Sequence, residues 1–288
     1  MFAVLIGVTG ALIFGGADFI GGIAAKRISA VRVTALGGLA GFVVLGLALP
    51  FVGGTWSMQA VVLGGISGIT GALAVVLLYA CLAIGPMSIL SPLTAVVSAV
   101  VPVLAGVVRG ERLNSLGYVA IGLALVAVVL VGFVPERGAV RPSLKALAMA
   151  TGAGALIGVF LIVIDLTPHD SGLVPLVVNR AVNATVMFGA IGIMLLWSRR
   201  PGAPAATGRG WKPGLVLALV GGAVDATANG VLLLGLRIGN LTIQSVLTAL
   251  YPAGTIILAA VVLKERIAPV QIVGLVLALA AAAMLALA

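Results

Sequence analysis

Charge is what this sequence has least of. Of its 288 residues only 8% are Asp, Glu, Lys or Arg, against roughly 25% in soluble domains, so a fully solvated surface cannot be built from it. A single cysteine, Cys81, and a single histidine, His169, exclude an intrachain disulfide and a His/Cys metal cluster of the usual zinc spacing. Aromatic residues make up 5%, too few to support a cage around a bulky cation. No cofactor is expected. The amino terminus, MFAVLIGVTGALIF, has no basic n-region and no small-residue cleavage site followed by soluble sequence, and reads as a first span rather than a signal peptide.

Apolar sequence is abundant: 62% of the residues are hydrophobic and the mean hydropathy is +1.33. The exterior must face lipid, and at about 20 residues per span the chain has room for on the order of ten membrane helices. Runs broken by Gly, Pro or charge predict spans near 2–22, 31–49, 58–83, 86–108, 113–134, 145–165, 172–197, 213–236, 240–263 and 269–287. Gly85 and Pro86 divide the third from the fourth, as a C-capping glycine and a helix-stopping proline do. Two stretches rich in Pro, Gly and positive charge, 135–145 and 198–212, cannot cross lipid. The first is expected to link an amino-terminal unit, 1–134, to a carboxy-terminal unit, 146–288. Trp56, Trp197 and Trp211 fall at span ends, where an indole settles in the interface. The pairs Gly37/Gly41, Gly64/Gly68 and Gly154/Gly158 read as helix crossing points.

The chain repeats itself. Residues 85–113 align on 239–267 without a gap, pairing Gly85 with Gly239, Ser91 with Ser245, Leu93-Thr94-Ala95 with Leu247-Thr248-Ala249, and Glu111-Arg112 with Glu265-Arg266. Because polar positions match as well as apolar ones, two similar greasy helices do not explain the pairing. Weaker echoes join Gly10-Ala11-Leu12-Ile13 to Gly154-Ala155-Leu156-Ile157 and Val31-Arg32 to Asn179-Arg180. Five spans per half is an odd number, so the second half inserts upside down. The expected fold is all-α and integral to the membrane, with ten transmembrane helices in two inverted five-helix repeats. Such a pair exchanges conformations around a central site, which points to transport by alternating access.

Phe14-Gly15 followed by Asp18-Phe19, Arg32 and Arg180 near the starts of the second span of each half, and the repeated Glu-Arg after spans four and nine resemble the EamA type of the drug/metabolite transporter superfamily. That resemblance implies a ten-helix transporter whose cavity is lined mainly by spans one to four and six to nine. It does not imply one substrate, since members move amino acids, nucleotide sugars, sugar phosphates and drugs. Where the family has Trp-Gly in the first span, this chain has Phe14-Gly15, so no indole reaches the cavity from there.

The basic residues fall unevenly. One set of loops holds Lys26, Arg27, Arg32, Lys145, Arg199, Arg200, Lys212 and Lys264 among others, and the opposite set holds only Arg109, Arg112 and Arg237. The positive-inside rule puts the first set in the cytoplasm and both termini outside. The resemblance implies termini in the cytoplasm, so the two arguments disagree, and loop charge is the physical determinant. The excess of positive charge is thereby a topology signal, with no nucleic-acid partner implied.

Asp225 is the acid that needs explaining. At mid-span an Asp costs about 3 kcal/mol to insert, so it must face a cavity, be neutral or find a cation. Asn229, four residues on, shares its helix face. The natural cation is Arg180, flanked by Asn179 and Asn183. Either the two pair to fix helix register, or they form the floor of a cavity in which Asp225 takes up a proton. Asp18 and Asp165 lie near expected span ends, within reach of interfacial water, and Arg32 is placed to snorkel. Gln244, Ser245, Thr248 and Tyr251, with Tyr79, Ser91 and Thr94, add hydrogen-bonding groups whose plainer role is helix-to-helix bonding. Glu111, Arg112, Glu265 and Arg266 read as structural helix-end residues. The expected partners are a small-molecule substrate and the lipid bilayer of the cytoplasmic or inner membrane, with the protein a monomer or homodimer. The rival classes are a membrane-embedded enzyme, for which His169-Asp170 is the lone local acid/base pair and no convincing catalytic set exists, and a non-transporting scaffold.

Overall fold

The computed structural model describes residues 1–84, 87–132, 143–198, 210–262 and 268–287. Among these residues every regular element is helical. The first half holds α1 (Phe2–Arg27), α2 (Ala30–Val52), α3 (Met58–Ile84), α4 (Met87–Val108) and α5 (Ser115–Gly132). The second holds α6 (Leu144–Asp165), α7 (Val174–Ser198), α8 (Leu215–Ile238), α9 (Leu241–Thr248), α10 (Tyr251–Val262) and α11 (Pro269–Leu287). Short 3₁₀ turns occupy His169–Ser171 and Lys212–Gly214. Six helices are long and apolar enough to cross a membrane, and they are α1–α3 and α6–α8, the first three of each half. Shorter apolar stretches lie in α4, α5 and α11.

Two elements depart from expectation. Helix α1 does not stop near 22 but runs to Arg27, because Gly21-Gly22-Ile23-Ala24-Ala25 contains nothing that blocks the backbone ladder, and Ile28 turns extended only after its N–H has bonded Ala24 O. Asp18 is therefore not at a helix end. The expected ninth span is broken at Ala249-Leu250 into α9 and α10. Pro252 lacks the N–H that would reach Thr248 O and is tolerated in the first turn of a new helix. The proposed turn at Gly85-Pro86, residues 133–142 of the linker region, 199–209, and Glu265-Arg266 lie outside the described residues.

Packing follows the repeat. Helix α1 lies against α8 as α6 lies against α3, α2 against α8 as α7 against α3, α4 against α6 as the α9–α10 pair against α1, while α2 meets α7 and α5 meets α11. Exchanging each helix for its counterpart five spans later reproduces the contacts, as two inverted repeats require. Small residues make the crossings: a Cβ on Gly64 or Gly68 would come within 2.6 Å of the Pro175 or Asn179 carbonyl oxygen of α7, and one on Gly154 within 2.6 Å of Thr94 O of α4. Leu5, Val43, Ile69, Ile193, Val276 and Leu279 are left exposed on the outer faces, where lipid meets them.

The two ends of the bundle differ. At the end bearing the amino terminus, Glu111 Oε1 and Oε2 accept from the Leu241 and Thr242 amides (3.2 and 3.1 Å), Gln244 Nε2 donates to Ala3 O (2.8 Å), Thr55 Oγ1 donates to Asp170 Oδ2 (2.6 Å), and Arg109 pairs with Asp165 at 2.7 Å. Arg237 clamps the 166–171 turn through Thr167 O and Oγ1 (2.7 and 2.6 Å). These contacts put the starts of α1 and α9 beside the ends of α4, α6 and α8, so α6 runs opposite to α1. At the other end, which carries Arg27, Arg32 and Lys212, Trp211 stacks on Phe188 with centroids 6.4 Å apart, and the Arg32 guanidinium lies 5.2 Å from the Trp211 ring centroid. These are called the terminus end and the basic end below.

Candidate functional site

Arg180 sits at the end of the second turn of α7 and Asp225 near the middle of α8. Arg180 Nη2 meets Asp225 Oδ2 at 2.7 Å. The arginine is 7% exposed, while the Asp225 side chain retains 34% of its accessibility, because it borders a cavity of about 90 Å³. Asp18 and Gly21 of α1, Thr34, Gly37 and Gly38 of α2, Val75 of α3, and Asn183 of α7 share that cavity. The wall is built mostly from the basic-end halves of α1, α2 and α8.

Glycine shapes the floor. Helix α2 presents Gly38 and Gly41 to α7, and a Cβ on Gly41 would lie 2.9 Å from Arg180 Cδ and 3.2 Å from Ala226 Cβ. A Cβ on Gly38 would lie 3.0 Å from Asn183 Oδ1. A larger side chain at Gly41 would press on Arg180, and one at Gly38 on Asn183 and the α7 backbone. Asn229 steadies the acid from below, donating through Nδ2 to Asp225 O (2.8 Å) and Oδ2 (3.4 Å). Asn179 turns away and donates to Ser67 Oγ on α3 at 2.8 Å. Two buried polar atoms at the site have no partner, Arg180 Nε and Asn183 Oδ1. An unmet donor and an unmet acceptor on buried side chains are costly, and each calls for an explanation.

Apolar clusters flank the site toward both ends. Toward the terminus end, Leu45, Leu176, Val177, Leu232 and Leu233 form one packed cluster with Phe14 at its edge. Toward the basic end, Trp211 packs against both the Ala24–Leu36–Ala218 cluster and the Ala35–Met187 cluster. The cavity thus lies in the basic-end half of the bundle, with the Arg180–Asp225 pair on its wall and the terminus-end apolar cluster beyond it.

The other sequence candidates fall elsewhere. Arg32 is outside the cavity wall and lies over Trp211. Gln244 is fully buried at the terminus end, wedged against Gly7 and Gly235, with Oε1 unpartnered. Tyr251 begins α10 and packs on the α5–α11 core cluster. Thr94 donates to Leu90 O and to Ala150 O across to α6 (2.9 and 3.2 Å), and Ser245 donates to Thr242 O. The side chains of Tyr79 and Ser91 lie outside the described residues. His169 and Asp170 are exposed in a turn. Glu111 reaches across the repeat boundary to the amides that open α9, where a carboxylate meets the positive end of the helix dipole, and Arg112 is exposed. Sequence reasoning missed the Asn179–Ser67 bond, the Gly38/Gly41 seat and the place of Trp211. The Gly37-Gly38-x-x-Gly41 spacing was the available signal for the seat.

The model of the EamA-like transporter family matches residues 1–133 and again 144–287. A solved crystal structure superposes with a TM-score of 0.74 at 18% sequence identity, covering 100% of this chain and 99% of that one, which shows a shared fold. No curated protein matches the sequence. Two successive family matches, one on each half of a bundle whose helix contacts exchange between halves, leave one assignment: the chain is a multi-pass membrane protein of the EamA-like transporter family, in the drug/metabolite transporter superfamily.

Proposed function

We propose that the protein is a secondary transporter of small polar metabolites, working by alternating access across the cell membrane through ten membrane helices, with α9 and α10 together forming the ninth. The observation that carries this reading is the Arg180–Asp225 pair at 2.7 Å on the wall of a cavity that reaches from mid-bundle toward the basic end. Arg stays protonated when buried and demands a carboxylate or an equivalent anionic group. A solute bearing a carboxylate competes with Asp225 for the guanidinium, and its ammonium finds Asp18, Asp225 and Asn183 Oδ1 nearby. A small zwitterion, such as a short neutral amino acid, matches both the charges and the cavity of about 90 Å³. A polyanion does not, since two carboxylates face it.

Alternating access needs one closure to give way at a time. The terminus end is tied by several polar contacts and a broad apolar cluster, and the basic end is closed by Trp211 and its neighbours. This arrangement supports a state nearer to opening at the basic end. Loop charge favours that end as cytoplasmic, which makes export of a cytoplasmic solute the natural direction. Counterflow of labelled glycine and alanine in proteoliposomes tests the reading, with faster exchange than protein-free vesicles expected and loss on Arg180→Ala. No exchange of any small zwitterion across a broad panel would sink it, and a carboxy-terminal reporter active only in the cytoplasm would reverse the orientation.

A further inference from the structure

We infer that Asp18 is a proton-binding site of the cavity, distinct from the Arg180–Asp225 pair, and that its proton couples solute movement to a proton gradient; the coupling rests on the transporter reading, the proton site does not. Asp18 lies nine residues before the end of α1 at Arg27, about 13 Å along the helix axis at 1.5 Å per residue. It lines the cavity with Asp225, Arg180 and Asn183. Among the described residues it makes no ion pair, whereas Asp225 is held by Arg180. Two carboxylates and one guanidinium leave one negative charge without a counter-ion in a membrane interior, where such charges are expensive and mark function.

A proton fills that role without rearranging the wall. Protonating Asp225 instead would strand Arg180, which is buried and always charged; protonating Asp18 strands nothing. The charged groups that face Asp18 are Asp225 on α8 and Arg180 across the cavity. The other ionisable residues on described elements packed against α1 are Arg32 on α2, Lys212 in the 3₁₀ turn before α8, Arg237 at the far end of α8, and Tyr251 on α10, and none of them lines the cavity. Asn183 Oδ1, on a residue 5% exposed, is an acceptor on the same wall with no donor, and a protonated acid supplies a donor to that wall.

Helix α1 also connects Asp18 to the α9–α10 break. Gly15, three residues earlier, seats on the α9–α10 break: its Cβ would lie 2.5 Å from Tyr251 O, and Thr255 Oγ1 donates to Gly15 O at 3.1 Å. Asp18 therefore sits on the helix that packs against the interrupted α9–α10 segment.

Infrared difference spectra of the full chain in phosphatidylcholine vesicles, recorded between acid and alkaline pH, test the site without a solute. Solvent-exposed acids titrate in every variant and cancel on subtraction. The expected result is a protonated-carboxyl band that shifts in Asp18→Glu and is missing in Asp18→Asn; in Asp225→Asn, where Asp18 is the one cavity carboxylate left to face Arg180, the band weakens. A band that survives Asp18→Asn unchanged overturns the assignment, and the Asp18→Glu shift guards against a misfolded Asn variant. For the coupling, labelled glycine uptake is compared with and without an imposed proton gradient. Asp18→Asn is expected to bring that ratio close to unity whatever rate remains; a ratio equal to that of the wild type contradicts the coupling. If wild-type vesicles move neither glycine nor alanine while the band still belongs to Asp18, the proton site stands and the coupling falls together with the transport reading.

Discussion

Two ion pairs of the same length, 2.7 Å, hold different regions of this molecule. Arg109–Asp165 joins the ends of α4 and α6 at the terminus end, with the arginine side chain 40% exposed. Arg180–Asp225 joins α7 and α8 in mid-bundle, with the arginine side chain 9% exposed. The first is a surface pair worth at most about 1 kcal/mol, weakened by salt. In the second, loss of Asp225 strands a buried guanidinium, which typically costs about 3–5 kcal/mol, while loss of Arg180 strands a carboxylate that keeps 34% of its accessibility and costs less. Distance alone does not separate a fastening from a site; the surroundings do, and here they include a cavity, two unmet polar atoms and a second carboxylate.

The contrast is broken hardest at Arg180. Arg180→Ala should destabilise the protein by less than the roughly 3–5 kcal/mol of a fully buried pair, because Asp225 keeps 34% of its accessibility, and abolish counterflow, read by thermal unfolding in detergent and by proteoliposome exchange. Asp225→Ala added to it should recover much of the stability, since no unpaired charge remains, but none of the transport. Gly41→Ala comes next, since its new Cβ would meet Arg180 Cδ at 2.9 Å and Ala226 Cβ at 3.2 Å. Overpacking of this kind costs about 1–3 kcal/mol, and if carried into the transport barrier exchange should fall by roughly fivefold at the lower end and about two orders of magnitude at the upper end of that range. Gly46→Ala on the same helix meets nothing within 4 Å and should be neutral or slightly stabilising. Equal damage from both would show that helix α2 as a whole, and not the seat for Arg180, is what matters.

At the terminus end the effects shrink. Glu111→Gln keeps the size of the cap on α9 but removes its charge, so a loss of about 0.5–1 kcal/mol is expected in the unfolding midpoint. Arg109→Ala should cost no more than about 1 kcal/mol and leave exchange rates unchanged. A transport defect in Arg109→Ala as deep as that of Arg180→Ala would erase the distinction between the two pairs.

Much of this was legible in the sequence, for physical reasons that name particular residues. Lipid makes charge scarce, so Arg180 and Asp225 stand out against an apolar background, and in the structure they meet. The offset of 154 residues between the repeated segments anticipates two halves, and the helix contacts exchange between halves accordingly. Other features depend on tertiary neighbours that a linear pattern does not carry. The depth of Asp18 follows from α1 running on through small residues to Arg27, where composition offers no stop or continuation signal. Glu111 looked like a local turn residue because its partners, the amides of Leu241 and Thr242, are distant in sequence. The break at Ala249-Leu250 was hidden because α4 stays continuous with Pro92 and Pro102 inside it, so proline alone does not forecast a break; Gly15 of α1 pressed against Tyr251 O accompanies the one that occurs.

The central claim is that the cavity beside the buried pair is the transport pathway and is reached from one end of the bundle at a time. Its most direct measurement is sided labelling of Thr34→Cys, a cavity-wall position, in a Cys81→Ser background with a membrane-impermeant maleimide applied to vesicles of known orientation. Labelling from the basic side, sped by Trp211→Ala, with none from the terminus side, is the predicted result. Equal labelling from both sides, or labelling from the terminus side alone, would contradict the account.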